Sequence, residues 1–147
     1  MGMQVMRHVN APLDKTFAAA TDLANAEKNV SGILKMEILT DGPIGAGTRF
    51  RETRVMFGKE ATEVMEIGEF SPPTGYTVDA ESHGCKYHSE FTFVERDGGT
   101  DMTMTFEAYP QTFLAKLMGV LTKPLQKKMC NLIGQDLDDI KKVAEQL

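Results

Sequence analysis

Glu52 and Arg54 stand two apart in an alternating stretch, Thr48 to Phe57, so a strand there places both on one pleat with Phe50 and Met56. A polar pair in that setting is either the wet, salt-bridging face of a sheet or an acid/base pair turned into an apolar cavity. Asp136 poses a sharper question. At 100° per residue it falls inside an apolar helical sector, between Leu132 and Ile140, where a carboxylate is costly unless paired, hydrated or used. Desolvation there raises its pKa, and an Arg54 facing it lowers it. The competing reading rotates the helix slightly and leaves Asp136 at the edge of the stripe, near Lys128 and Asp139. Glu52, Arg54 and Asp136 are thus the candidates for moving protons or polarising a carbonyl.

The other reactive residues carry weaker signals. His83, Cys85 and His88 spell H-x-C-x-x-H, but on a strand the third residue lies on the opposite pleat from the first two, so the set converges poorly on a metal unless a turn intervenes. With no second cysteine-rich half, no metal site is expected. None of the three histidines, His8, His83 and His88, sits in a nucleophile motif, and no Ser/His/Asp or Cys/His triad is readable. The loop Gly42-Pro43-Ile44-Gly45-Ala46-Gly47 lacks a lysine after its last glycine and precedes a strand, so it reads as a hairpin connection instead of a phosphate cradle. Tyr76 and Tyr87 each offer a hydroxyl to a ligand, or serve as core aromatics whose hydroxyls are satisfied internally. No cofactor is implied.

These residues are positioned by a readable succession of elements. Gln4 to Asn10 alternates as a strand, Asn10-Ala11-Pro12 ends it, and Leu13 to Asp22 and Leu23 to Val30 follow as two short helices. From Ile33 to Tyr109 the period becomes two, in six stretches separated by Gly42–Gly47, Gly58-Lys59, Pro72-Pro73-Thr74-Gly75, His83-Gly84 and Asp97-Gly98-Gly99, the last being the strongest hairpin signal. An antiparallel meander results, with the first strand free to join an edge. The chain closes on an amphipathic helix in which Leu125, Met129, Leu132, Ile133, Leu137, Ile140, Val143, Ala144 and Leu147 share a sector and Lys127, Gly134, Asp138, Lys141 and Glu145 lie opposite. A helix running unbroken from Thr112 would reach about 54 Å, longer than a domain of this size is wide, and Pro124 supplies the break as a first-turn residue.

Composition narrows the function classes. With 147 residues, 41% hydrophobic and 25% charged, the chain has the size of one domain, residues 1–147. A net charge of −5 argues against nucleic acid, which needs a basic face. No apolar run approaches a membrane span and no secretory signal is read, so stable membrane insertion is not expected; two cysteines, Cys85 and Cys130, point to a reducing, cytoplasmic setting. The sheet's apolar pleats, Tyr87, Phe91 and Phe93 on one strand and Met102, Met104 and Phe106 on another, need a cover, and the long helix is the available one. A curved sheet gripping a helix leaves a hollow, the usual form of a small-ligand site. Its expected walls are Arg54, Tyr76, Tyr87, Phe91, Met102, Met104, Phe106, Leu125, Met129 and Asp136. Ten methionines supply walls that adapt to differing ligands, or ordinary core filling. Phe113, Leu114, Leu117, Met118 and Leu121, beside Lys116 and Lys123, read as a lid or as a buried helix.

The strand, Val9-Asn10-Ala11-Pro12-Leu13-Asp14-Lys15-Thr16-Phe17, the two small helices, Gly45-Ala46-Gly47-Thr48-Arg49-Phe50-Arg51-Glu52, Glu69-Phe70-Ser71-Pro72-Pro73, Gly98-Gly99-Thr100 and the terminal helix together resemble the START-like (SRPBCC) superfamily. Within it the chain is most similar to the bacterial polyketide cyclase/dehydrase and lipid transport branch, which shares the helix-grip fold with plant pollen-allergen carriers. The resemblance spans essentially the whole chain, although the tryptophan that many relatives carry is missing. It implies an α+β helix-grip fold, a curved seven-stranded antiparallel sheet around a long C-terminal helix, and a hydrophobic cavity for a lipid, sterol or polyketide-like molecule. Three functions follow in order: a carrier; a cofactor-free cyclase or dehydratase; and an interaction module with an exposed apolar groove. They require, respectively, apolar volume, convergent polar groups of perturbed pKa, and a surface patch. Oligomeric state is not readable.

Overall fold

The computed structural model describes residues 2–56, 58–82, 84–112 and 123–147, and of Lys123 and Leu125 the backbone alone. Strand β1 (Gly2–Val9) leads to α1 (Leu13–Ala20), a 3-10 turn at Leu23–Asn25 and the single-turn α2 (Ala26–Asn29). Then come β2 (Ile33–Ile38), β3 (Arg49–Met56), β4 (Lys59–Ser71), β5 (Gly75–Ser82), β6 (Cys85–Arg96) and β7 (Gly99–Pro110), and last α3 (Lys123–Gln146). The sheet order is β1-β7-β6-β5-β4-β3-β2, all antiparallel, so the meander closes on the first strand at one edge. This is the helix-grip α+β architecture. The expected second helix divides at Asn25 into the 3-10 turn and α2. Pro124 sits in the first turn of α3, where its missing N–H has no partner to lose.

Turn chemistry fixes the registers. At the β6–β7 hairpin Arg96 pairs with Gly99, and Asp97 and Gly98 take φ of 50° and 76°, the two left-handed positions a two-residue turn needs to follow the strand twist. Gly75 meets a different demand: a Cβ on it would lie 2.8 Å from the Phe91 carbonyl, so β5 can approach β6 only without a side chain there.

Packing is solid at one end of the sheet. Phe17 of α1 meets Phe70, Tyr76 and Phe93 edge-on with ring centroids 5.3–5.9 Å apart, and Phe93, Met102, Leu137 and Val9 are almost wholly buried around them. Two short helices become stable only by this docking. The side of α3 read as polar is covered in part, at Gly134 and Lys141, because the helix lies along β1 and α1. Gly134 is buried there, leaving room for the Arg7 guanidinium, which donates from Nε to Asp138 at 2.8 Å. Lys141 donates to the His8 carbonyl (2.6 Å) and Glu145 accepts from Asn10 N–H (2.8 Å), satisfying backbone groups that an edge strand leaves unpaired.

Candidate functional site

Strand alternation puts Phe50, Glu52 and Arg54 on one pleat of β3, and that pleat faces α3, because Arg54 reaches Asp136 from it. Asp136 follows Ile133 and precedes Leu137 and Ile140, all buried, so the helix that buries those apolar residues must also carry its carboxylate inward. The result is a three-membered ionic cluster. Arg54 Nε donates to a Glu52 carboxylate oxygen, and Arg54 Nη1 donates to both Asp136 oxygens, at 3.0 and 3.3 Å. The Arg54 and Glu52 side chains are 16% and 9% exposed and Asp136 25%, which excludes a solvated face for this pair. Gly32, in the turn before β2, lies over the cluster: a Cβ on it would stand 3.5 Å from Arg54 Nη1 and 3.7 Å from an Asp136 oxygen. Ser31 beside it binds Asp139 through N–H and hydroxyl, at 2.9 and 2.8 Å.

The electrostatics are unbalanced, with two carboxylates against one guanidinium. Burial pushes Asp136 up to about 6, against the attraction and hydrogen bonds of Arg54 and with some help from the charges of Glu52 and Asp139. Desolvation alone would lower Arg54, but its two partners outweigh that and raise it, so it stays a cation. Both opposing effects anticipated for Asp136 operate, and desolvation wins. A carboxyl that exchanges its proton near neutrality beside a fixed cation can pass a proton or polarise a carbonyl oxygen.

The remaining expected residues divide between solid core and half-buried wall. Tyr76 and Met102 belong to the core, 8% and 0% exposed; Tyr76 stacks on Phe91 at 4.6 Å and directs its hydroxyl to the Ala20 carbonyl at 3.4 Å. Burial accordingly raises the Tyr76 hydroxyl well above its ordinary range. These two pack into the core, and neither presents open surface to the space expected for a ligand. Tyr87, Phe91, Met104, Phe106 and Met129 remain half-buried, although all but Met129 lie on the same pleat as core residues Phe93 and Met102 and Met129 lies one helical turn before Ile133. Tyr87 stacks on Phe106 with centroids 5.7 Å apart. Leu125's side chain lies outside the described residues, as do Phe113, Leu114, Leu117, Met118 and Leu121 of the expected lid, and His83.

His88 is on the pleat opposite Cys85 and binds Asp79 through Nδ1 at 2.6 Å, and no group of three metal-ligating side chains occurs among the described residues. An open groove of about 710 Å³ runs along the sheet, but its charged walls, Arg49, Glu66, Asp79 and His88, belong to the outward pleat and pair among themselves. Apolar ligands need apolar walls, so the inward face is the better candidate. Sequence reasoning missed Glu63, which faces Glu52 across β3 and β4; correct strand pairing, not residue type, was the signal that finds it.

A sequence profile of the family described as polyketide cyclase / dehydrase and lipid transport matches residues 2–145. No curated protein matches the chain. Among solved structures, the chain is similar to TTHA0849 from Thermus thermophilus, at 20% identity and TM-score 0.81 over 98% of this chain and 97% of that one. It is also similar to Ara h 8.0201, at 16% identity and TM-score 0.78 over 100% and 99% of the two chains. The di-domain ARO/CYC StfQ from the steffimycin biosynthetic pathway aligns at 10% identity and TM-score 0.79, covering 99% of this chain and 51% of that one. At these identities the likeness speaks for the fold.

Proposed function

Because the chain belongs to the polyketide cyclase/dehydrase and lipid transport family, we propose that it binds an apolar small molecule between the concave face of the sheet and α3 and serves as its carrier. The observation that supports this most is the half-burial of Tyr87, Phe91, Met104, Phe106 and Met129 beside a closely packed core. A filled interior would bury side chains in those positions as fully as Phe93 and Met102. A molecule occupying the space would gain about 25 cal/mol for each Å² of apolar surface removed from water, which is the source of affinity a carrier needs. No helix among the described residues is long and apolar enough to cross a membrane.

A second reading is favoured by one observation, the Asp136 carboxyl held near neutrality against Arg54. In a cyclase-type reaction Arg54 Nη1 polarises a carbonyl oxygen of the bound chain while Asp136 takes or returns the proton of the adjacent carbon. Native mass spectrometry of protein purified from its own host, followed by identification of the released compound, tests the first reading: a co-purifying apolar molecule is expected. Protein that is empty and takes up no apolar probe would refute it. Turnover of the identified compound, abolished by Asp136→Asn, would move the assignment to the second.

A further inference from the structure

Resting on the reading of the inward face as a ligand site, we infer that the site selects uncharged, hydroxyl-bearing apolar molecules and turns away those carrying a free carboxylate. Three carboxylates share its polar end with one guanidinium. Glu63 is the Cα partner of Glu52 across β3 and β4, so both side chains stand on the same pleat, the one facing α3. Two residues further along β4, Met65 pairs with Ala80, and Ala80 pairs with Tyr87, which places Glu63 one step from the row holding the Tyr87 ring. The Tyr87 hydroxyl carries the trace of that proximity: burial raises its pKa first, then Cys85, then the charge of Glu63.

Arg54 does not offset the imbalance for an incoming anion. Its Nε is engaged by Glu52 and its Nη1 by Asp136, so an incoming carboxylate meets a guanidinium whose charge two carboxylates already oppose. The other cations of the inward pleat, among the described residues, are elsewhere: Lys59 is exposed at the β3–β4 turn, and Arg7 of β1 is held by Asp138 of α3. What the polar end offers instead is acceptors. Carboxylate oxygens of Glu52, Glu63 and Asp136 and the Tyr87 hydroxyl suit a ligand alcohol or phenol, which donates a hydrogen bond and brings no charge.

The test uses wild-type protein, uncharged N-phenyl-1-naphthylamine as fluorescent reporter, and 1-decanol and decanoate as competitors at pH 8. These competitors share a chain and differ in the head group. Decanol is expected to displace the reporter at least about thirtyfold more effectively than decanoate, since each of the two uncompensated charges contributes about that factor at about 8 Å in an effective dielectric of about 20. In Glu63→Gln, and more in Glu63→Gln/Asp136→Asn, the preference should shrink to a few-fold, through tighter decanoate and through decanol weakened only as far as an amide oxygen accepts less well than a carboxylate. Glu63→Gln alone, on a half-buried strand position, keeps the test open if the double variant fails to fold. Decanoate competing as well as decanol, or a preference unchanged in both variants, would overturn the selectivity while leaving the ligand site standing. A reporter that never binds overturns the ligand site itself, and the selectivity with it.

Discussion

Replacing Arg54 by Met leaves the Glu52 and Asp136 carboxylates facing each other across the β3–α3 junction without their shared cation. An ion pair at about 4 Å is worth about 4 kcal/mol at an effective dielectric near 20, but the variant has an escape, since Asp136 can take up a proton. Holding a carboxyl of ordinary pKa 3.8 neutral at pH 8 costs close to 6 kcal/mol at 1.36 kcal/mol per pH unit. About 3 kcal/mol of that is already present in the native protein, where the group sits near 6. Asp136 therefore adds about 3 kcal/mol, and the stranded Glu52 about 1 more, in line with the 3 to 5 kcal/mol typical of breaking one side of a buried pair. The sign with pH follows from the raised folded pKa: between 3.8 and the folded value the native state holds more protons than the unfolded one, so stability falls as pH rises through that window. The Arg54→Met deficit should thus be about 4 kcal/mol at pH 8, a drop in Tm of about 12 °C, and shrink to about 1 kcal/mol at pH 5. Urea unfolding at both pH values measures it, and adding Asp136→Asn, which removes the whole protonation cost, should restore at least about 3 kcal/mol at pH 8. A deficit below about 1 kcal/mol at pH 8, equal deficits at the two pH values, or no rescue would refute the reasoning.

Asp136→Asn alone should raise stability by about 3 kcal/mol at pH 8, the relief of a charge whose desolvation outweighs its bonds to Arg54, and change little at pH 4, as thermal melts at the two pH values will show. Phe93→Ala, in the solid core, should cost about 3 to 5 kcal/mol in urea unfolding, whereas half-buried Phe106→Ala should cost about half as much and lower apolar probe affinity instead. Gly75→Ala should lose about 2 kcal/mol, because its Cβ would meet the Phe91 carbonyl at 2.8 Å and one strand must move; a melt unchanged within error would contradict the packing described. Gly134→Ala should be nearly neutral, since the gain of about 1 kcal/mol in helix propensity offsets displacement of the flexible Arg7 head from Asp138, while Gly134→Leu, too large for β1, should be clearly destabilising in the same assay.

Local patterns carried the fold. The period-two stretches, the Asp97-Gly98 turn and the apolar stripe of α3 are each set by backbone sterics and burial within a few residues, and the meander with the long helix as its cover follows from them. The oddity of Asp136 was equally legible, because a carboxylate in an apolar sector is anomalous wherever the helix docks. Partnership was not. That Arg54 meets Asp136 across 82 positions, that Glu63 stands opposite Glu52, and that Tyr76 is buried while Tyr87 is half-buried depend on strand register and on how far α3 lies from each strand. The face of α3 with Gly134, Asp138, Lys141 and Glu145 read only as lying opposite the apolar sector for the same reason: amphipathicity records residue chemistry, and only docking against β1 shows that charges there satisfy the edge of the sheet. Which elements form, and which residues are chemically out of place among them, is written locally along the chain. Which of those residues meet belongs to the folded whole, because long-range contacts are set by the sum of all registers and no single stretch encodes that sum.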